Sequence, residues 1–212
     1  MNLRIRTFIV IMSIVMLFGC ASTSENLSET KKASLRSIKV VDAEQIPTEI
    51  YYQGPEHAFG GAIGGVIGAL LAEGASTTGD QIALYIKNNG IDIQEIFHKE
   101  FMSRLKASAS LRDKVAQEEQ ASETEIKLVI VRYGFGQPHG FSSIRKPLVI
   151  GYVEIKNGAE EIIWQGAASV IPLNGDTYGT SLEEYFSSPV HFEKSFSTAF
   201  RIISDELIRK IE

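Results

Sequence analysis

The sequence predicts an α+β domain, a small mixed or antiparallel sheet of about four strands with two amphipathic helices on one face. Three observations carry that expectation. Ile93, Ile96, Phe97, Phe101, Met102 and Leu105 recur at helical spacing. A second stripe of the same period runs through Phe192, Phe196, Phe200, Ile203, Leu207 and Ile211. Between them lie the alternating runs 125–133, 148–156 and 161–170, the last two joined by Asn157-Gly158. The order strand, helix, strand, strand-turn-strand, helix packs most simply with both helices on one side of the sheet.

Taken in order, Leu35–Asp42 is a first strand, with Ile38, Val40 and Val41 clustered. Residues 43–55 contain Pro47, Pro55 and the pair Tyr51-Tyr52, and are expected to be extended or looped. Ser76–Asp80 is a polar break before a helix over Gln81–Lys87, which stops at Asn88-Asn89-Gly90. The next helix is signposted: Asp92 is its N-cap, Glu95 completes a capping box, and Ile91 with Ile96 forms a hydrophobic staple. Polar residues 108–124 close it into a loop. In the strand 125–133, Ile126, Leu128 and Ile130 alternate with Lys127 and Val129; the glycine-rich stretch 134–141 then reads as a loop. Asn157-Gly158 favours a tight two-residue hairpin, and Trp164 on its second strand is expected to pack into the core. Residues 171–190 read as a loop with an apolar patch, Leu182, Tyr185 and Phe186, before a final helix over His191–Ile211.

Residues 58–74, AFGGAIGGVIGALLAEG, interrupt this domain. Gly60, Gly64 and Gly68 lie four apart, Gly61 and Gly65 repeat the spacing, and Ile63, Val66, Ile67, Leu70 and Leu71 flank them. Each glycine costs a solvated helix about 1 kcal/mol relative to alanine, so close backbone approach to another helix is the expected compensation. The pattern resembles the glycine zippers of several outer-membrane lipoprotein families, which implies helix packing or oligomerisation through these five glycines. Ala58–Ala72 carries no charge, yet fifteen residues make roughly 22 Å of helix, short of the hydrocarbon core of about 30 Å. Three placements fit: a membrane-associated or oligomerising helix, a helix packed in the protein's own fold, or a flexible glycine-rich loop. The stretch lacks the Lys-Ser/Thr ending of a phosphate loop.

At the N-terminus, Arg4 and Arg6 precede the uncharged run Phe8–Phe18, and Gly19-Cys20 follow. That is an export signal, too short to span a bilayer as a stable helix. Leu17-Phe18-Gly19-Cys20 resembles the lipobox of bacterial lipoproteins, with Phe18 larger than the residue usual at its position. The resemblance implies a covalent lipid on Cys20, which becomes the mature N-terminus, and no other cofactor. Ala21, in place of Asp, implies passage to the outer membrane, facing the periplasm. The alternative is an ordinary cleaved signal with a stray thiol. The expected organisation is a signal peptide at 1–19, a flexible tether at 20–34 rich in Ser, Thr, Glu and Lys, and a periplasmic domain at 35–212 with its glycine insertion at 58–74. The order of elements in that domain resembles the small α/β domains of periplasmic proteins such as the N-terminal domain of TolB, the penicillin-binding-protein activator lipoproteins and the curli-secretion lipoprotein.

The chain has 21 basic and 26 acidic residues. Loss of Arg4 and Arg6 with the signal leaves 19 against 26, a net charge near −7, which argues against nucleic acid as a partner and makes membrane attachment a hydrophobic matter. Cys20 is the only cysteine, so once acylated it leaves no thiol for a disulfide or a zinc site. The four histidines, His57, His98, His139 and His191, form no metal-ligand pattern. Ser142 and Ser143 lack a nucleophile elbow, and the adjacent carboxylates Glu160-Glu161, Glu183-Glu184 and Asp205-Glu206 point apart as chain neighbours. No catalytic or metal site is therefore expected. The loop around Gly136 and His139 is the one candidate binding element. These features lead to a non-enzymatic lipid-anchored envelope protein, an accessory or assembly factor that meets membrane lipid and either a protein partner or itself. A lipid or small-ligand carrier, or an envelope hydrolase using His139 or His191, are the alternatives.

Overall fold

The computed structural model describes residues 26–54, 75–116, 122–174 and 176–212. Cys20, the signal, His57 and the glycine segment 58–74 lie outside the described residues. The described chain is α+β, with one mixed sheet and five α-helices. The strands are β1 (Ile38–Asp42), β2 (Tyr51–Gln53), β3 (Thr124–Gly136), β4 (Ile144–Asn157), β5 (Ile162–Val170) and β6 (Thr180–Ser181). The helices are α1 (Glu29–Ser34), α2 (Thr78–Asn88), α3 (Ile93–Ala107), α4 (Leu182–Ser187) and α5 (Pro189–Ile211).

The main order is β1-β3-β4-β5, with β2 beside β3 and β6 beside β4. β1 and β2 run parallel to successive halves of β3; the remaining pairs are antiparallel. The expected four strands thus become six. β2 forms where an extended or looped segment was expected, because Tyr51 and Tyr52 find a free edge opposite Gly134 and Phe135. Gly134–Gly136 likewise belong to β3, which corrects the boundary of the expected glycine-rich loop; only 137–143 connect β3 to β4.

A bulge at Val131 explains the change of face along β3. Ile130 pairs with Gly151 and Arg132 with Ile150, so Val131 is an extra residue. Before it the even positions Ile126, Leu128 and Ile130 are buried; after it the odd positions Tyr133 and Phe135 are. Both sets meet α3 and α5, whose apolar stripes are those expected: Phe97 stacks on Phe200 at 4.7 Å between ring centres. Ile96 and Met102 are partly buried at the rim.

Residues 26–34 are not a flexible tether. Leu27 is 1% exposed and its amide donates to the Lys210 carbonyl at 2.8 Å, while α1 follows directly. One apolar residue among polar ones suffices, because a hole beside the end of α5 takes it. Lys31 and Lys210 then donate to the carbonyls of Ile163 and Ala167 at 2.6 Å each, occupying acceptors of the edge strand β5.

The β4–β5 turn is longer than the expected two residues. Glu160 closes a turn onto the Asn157 carbonyl with φ 62°, and the Asn157 side chain accepts from the amides of Ala159 and Glu161. This is a three-residue hairpin whose left-handed position is filled by Glu160 instead of glycine. Trp164 is half-buried, its ring lying over Gly166, where an added Cβ would meet it at 2.0 Å. α4 was not expected as a helix; its Leu182, Tyr185 and Phe186 are all buried.

α2 begins earlier than expected because Thr77 and Asp80 form a reciprocal capping box. Hydrogen bonds from Thr77, and then from Ser76, hold the Asp80 carboxyl below its ordinary 3.8. The depressed folded value means the box stabilises fully above that pH and is lost as pH falls through the lower folded value. Asp80→Asn is therefore expected to flatten the acid limb of stability in urea titrations below about pH 4. An unchanged limb would show that the carboxylate contributes nothing to acid sensitivity.

Candidate functional site

The expected binding residues separate in the structure. Gly136 is a strand residue paired with Gln53 and Lys146, and an added Cβ would meet the Pro172 ring at 2.8 Å. His139 is exposed in the connector 137–143. That connector is held by its own bonds: Ser142 donates its amide to the His139 carbonyl at 3.0 Å, and the Gln137 side chain donates to the Ser142 carbonyl at 2.6 Å. Phe141 at its tip is 101% exposed.

Beneath the connector lies Arg145, only 4% exposed. Its Nε donates to the Tyr52 hydroxyl at 3.1 Å, and Nη1 to the carbonyls of Ser142 at 2.9 Å and Ile144 at 3.2 Å. The guanidinium also lies 5.9 Å from the centre of the Tyr52 ring. Three neutral acceptors and an aromatic ring hold the charge, and among the described residues no carboxylate pairs with it. Arg145 thus ties β2, β4 and the connector together. No local pattern marks it: the arginine is buried while the neighbouring Ile144 is exposed.

A polar bridge runs on from the same place. Tyr185 Oη donates to Ser195 Oγ at 2.8 Å, which donates to the Tyr178 carbonyl at 3.0 Å, and Oη also lies 3.3 Å from the Arg145 carbonyl. Burial pushes the Tyr185 phenol well above its ordinary value, so it stays neutral. Ser195 is fully buried.

The histidines stand apart. His191 Nδ1 meets Tyr178 Oη at 2.7 Å, its Nε2 lies 3.9 Å from Glu184, and Glu184 accepts from Thr180 Oγ1. His98 Nδ1 meets Asp42 at 2.9 Å, beside Gln94. Neither bond reaches a serine hydroxyl, so neither forms the nucleophile–base couple of acyl transfer. Among the described residues no group of His, Cys, Asp and Glu converges on a metal position. A groove of about 520 Å³ between α3 and α5 is lined by Asp92, Glu95, Glu100 and Glu193 with Lys99 and Lys194. Its mixed charges and apolar rim offer no concentrated chemistry. Among the described residues, no helix is long and apolar enough to cross a membrane.

No family model matches this chain, and no curated protein matches it. Among solved structures, the crystal structure of a Xanthomonas campestris protein of the family DUF330 is similar over 54% of this chain and 58% of that one, at 10% identity and a TM-score of 0.39. The matched part is little more than half of that protein, and a likeness of this degree carries no argument about this chain.

Proposed function

We propose that this chain is a non-enzymatic, lipid-anchored envelope protein, held at the periplasmic face of the outer membrane through Cys20. It would act as an accessory or assembly factor whose folded domain meets a partner in envelope biogenesis or transport. The single observation that carries this is the leader ending Leu17-Phe18-Gly19-Cys20, with the chain's only thiol at the end of the apolar run. The glycine stripe Gly60, Gly61, Gly64, Gly65 and Gly68 supplies a second contact, with the bilayer or with another helix.

The fold supports this reading in one respect. Leu27 is already packed in the domain, so the link from Cys20 spans seven residue steps, 20 to 27, roughly 24 Å when fully extended. An acylated Cys20 therefore holds the domain against the bilayer surface. The test is radiolabelled palmitate incorporation with fractionation of the membrane. Wild type is expected to carry label and float with the outer membrane, and Cys20→Ser to lose the label and leave the membrane fraction. An unlabelled wild-type protein that is soluble and monomeric in detergent-free extract overturns the proposal.

A further inference from the structure

Exposed apolar side chains gather at one end of the sheet. Phe141 is 101% exposed and Leu173 71%, and Ile171 and Ile144 are also exposed. Pairing brings them together. Val149 pairs with Val170, so Ile171 follows at the level of Leu148; Pro172 lies against Gly136 at the end of β3, and Lys146 donates to the Asn174 carbonyl at 3.0 Å. Arg132 and Tyr51 stack nearby, with the Arg132 guanidinium 5.5 Å from the ring centre. In a chain with 26 acidic residues, the segments 133–153 and 162–175, to which this end belongs, contain no acid. Asp176, Glu183 and Glu184 stand on the flank. The patch is apolar and free of acids in an acidic protein, with its cations engaged locally, Arg132 on the Tyr51 ring and Lys146 on the Asn174 carbonyl, and an exposed apolar patch of this kind marks an interaction surface.

Two facts about the chain choose the occupant. The described chain stops at Gly54, where an added Cβ would sit 3.1 Å from Arg145 Nε, under the connector that carries Phe141, and the uncharged run 58–72 follows in the sequence. The anchor also reaches. Leu27 bonds to Lys210, whose ammonium bonds to the Ala167 carbonyl on β5, and Ala167 is four residues from Ile171, about 13 Å along a strand. With the Lys210 side chain added between Leu27 and Ala167, the distance from Leu27 to Ile171 is comparable to the link of roughly 24 Å.

We propose that this end of the sheet, led by Phe141 and Leu173, is a membrane-docking surface that inserts into the same lipid leaflet as the acyl chain on Cys20. The inference rests on the anchor proposed above. Its binding is hydrophobic and not electrostatic, since Arg132 is held on the Tyr51 ring and Lys146 on the Asn174 carbonyl, so docking on zwitterionic lipid should be indifferent to salt.

The acylated full chain gives a direct test. With Cys20 blocked by lipid, Phe141→Cys provides a single reactive thiol for an environment-sensitive fluorophore, and Ala159→Cys, at the opposite hairpin, provides the control. The protein is reconstituted in phosphatidylcholine vesicles, and nitroxide-bearing lipid is used as quencher. The expected result is one label per chain, a blue shift and several-fold brightening at position 141, quenching there by the nitroxide lipid, and none of these at position 159. If the protein floats with vesicles and carries one label, but position 141 remains as wet as position 159, the docking surface is refuted and the anchor stands. A blue shift at 141 without lipid quenching means that a protein contact covers the tip, which also overturns the inference. Two labels on the Phe141→Cys chain would show a free Cys20 and remove the anchor itself.

Discussion

Gly134→Ala is expected to cost about 3 kcal/mol, because an alanine at this position must displace a strand. A Cβ there would lie 1.8 Å from the Tyr51 carbonyl oxygen and within 2.8 Å of the Tyr51 nitrogen, all backbone atoms of β2. No rotamer change relieves that overlap. β2 must move away by more than an ångström, and its pairing with β3 at Gly134, Phe135 and Gly136 breaks. Two or three backbone hydrogen bonds at about 1 kcal/mol each are then unmade. The consequence spreads, since Tyr52 on β2 accepts from the buried Arg145. Gly140→Ala is the matched control: nothing lies within 4 Å of its added Cβ, and a change within about 0.5 kcal/mol is expected. Urea unfolding of both variants decides the matter through the shift in midpoint at constant slope. Equal midpoints for the two would mean that β2 contributes no stability.

Gly134 also marks the limit of what the sequence discloses. The helices α3 and α5 were legible because their apolar stripes keep one period and their caps are local: Asp92 does accept from the Glu95 amide at 2.9 Å. Strands β3, β4 and β5 were legible in their centres for the same reason. What was not legible depends on partners distant in sequence. β2 is three residues long and exists because β3 offers an edge eighty residues later. The stretch 134–136 looks like a loop because glycine has poor strand propensity, yet at Gly134 glycine is present so that β2 can approach. The bulge at Val131 shifts the inward phase from even to odd, which no local alternation rule anticipates. Leu27 could not be told from a solvated leucine without the end of α5. Of the candidate site, Gly136 and His139 were singled out by composition, and the structure gives the place beside them to Phe141, Arg145 and Tyr52. A buried arginine held by carbonyls and a ring leaves no trace in a pattern of hydrophobic and polar residues.

Phe135→Ala is expected to be the most damaging core truncation near this joint, at about 4 kcal/mol within the range of 3–5 typical of buried phenylalanines. Phe135 is fully buried, and its ring meets Tyr185 at 4.7 Å, Phe196 at 5.1 Å and Phe192 at 5.6 Å between centres. It is the residue through which β3 touches both α4 and α5. The cost of such a cavity depends on how far the walls can collapse, and here they are pinned. Tyr185 is held through its hydroxyl by Ser195 and the Arg145 carbonyl, and β3 is fixed on both sides by β2 and β4. Phe135→Leu, which keeps most of the volume, should lose less than about 1.5 kcal/mol. Trp164→Ala removes a larger ring, but one that is half-buried over Gly166 at the sheet edge, so it should cost less than Phe135→Ala. Chemical denaturation of the three variants gives the ranking. If Trp164→Ala proved the worst, the main support of the fold would lie along the β5 edge and not at the junction of β3, α4 and α5.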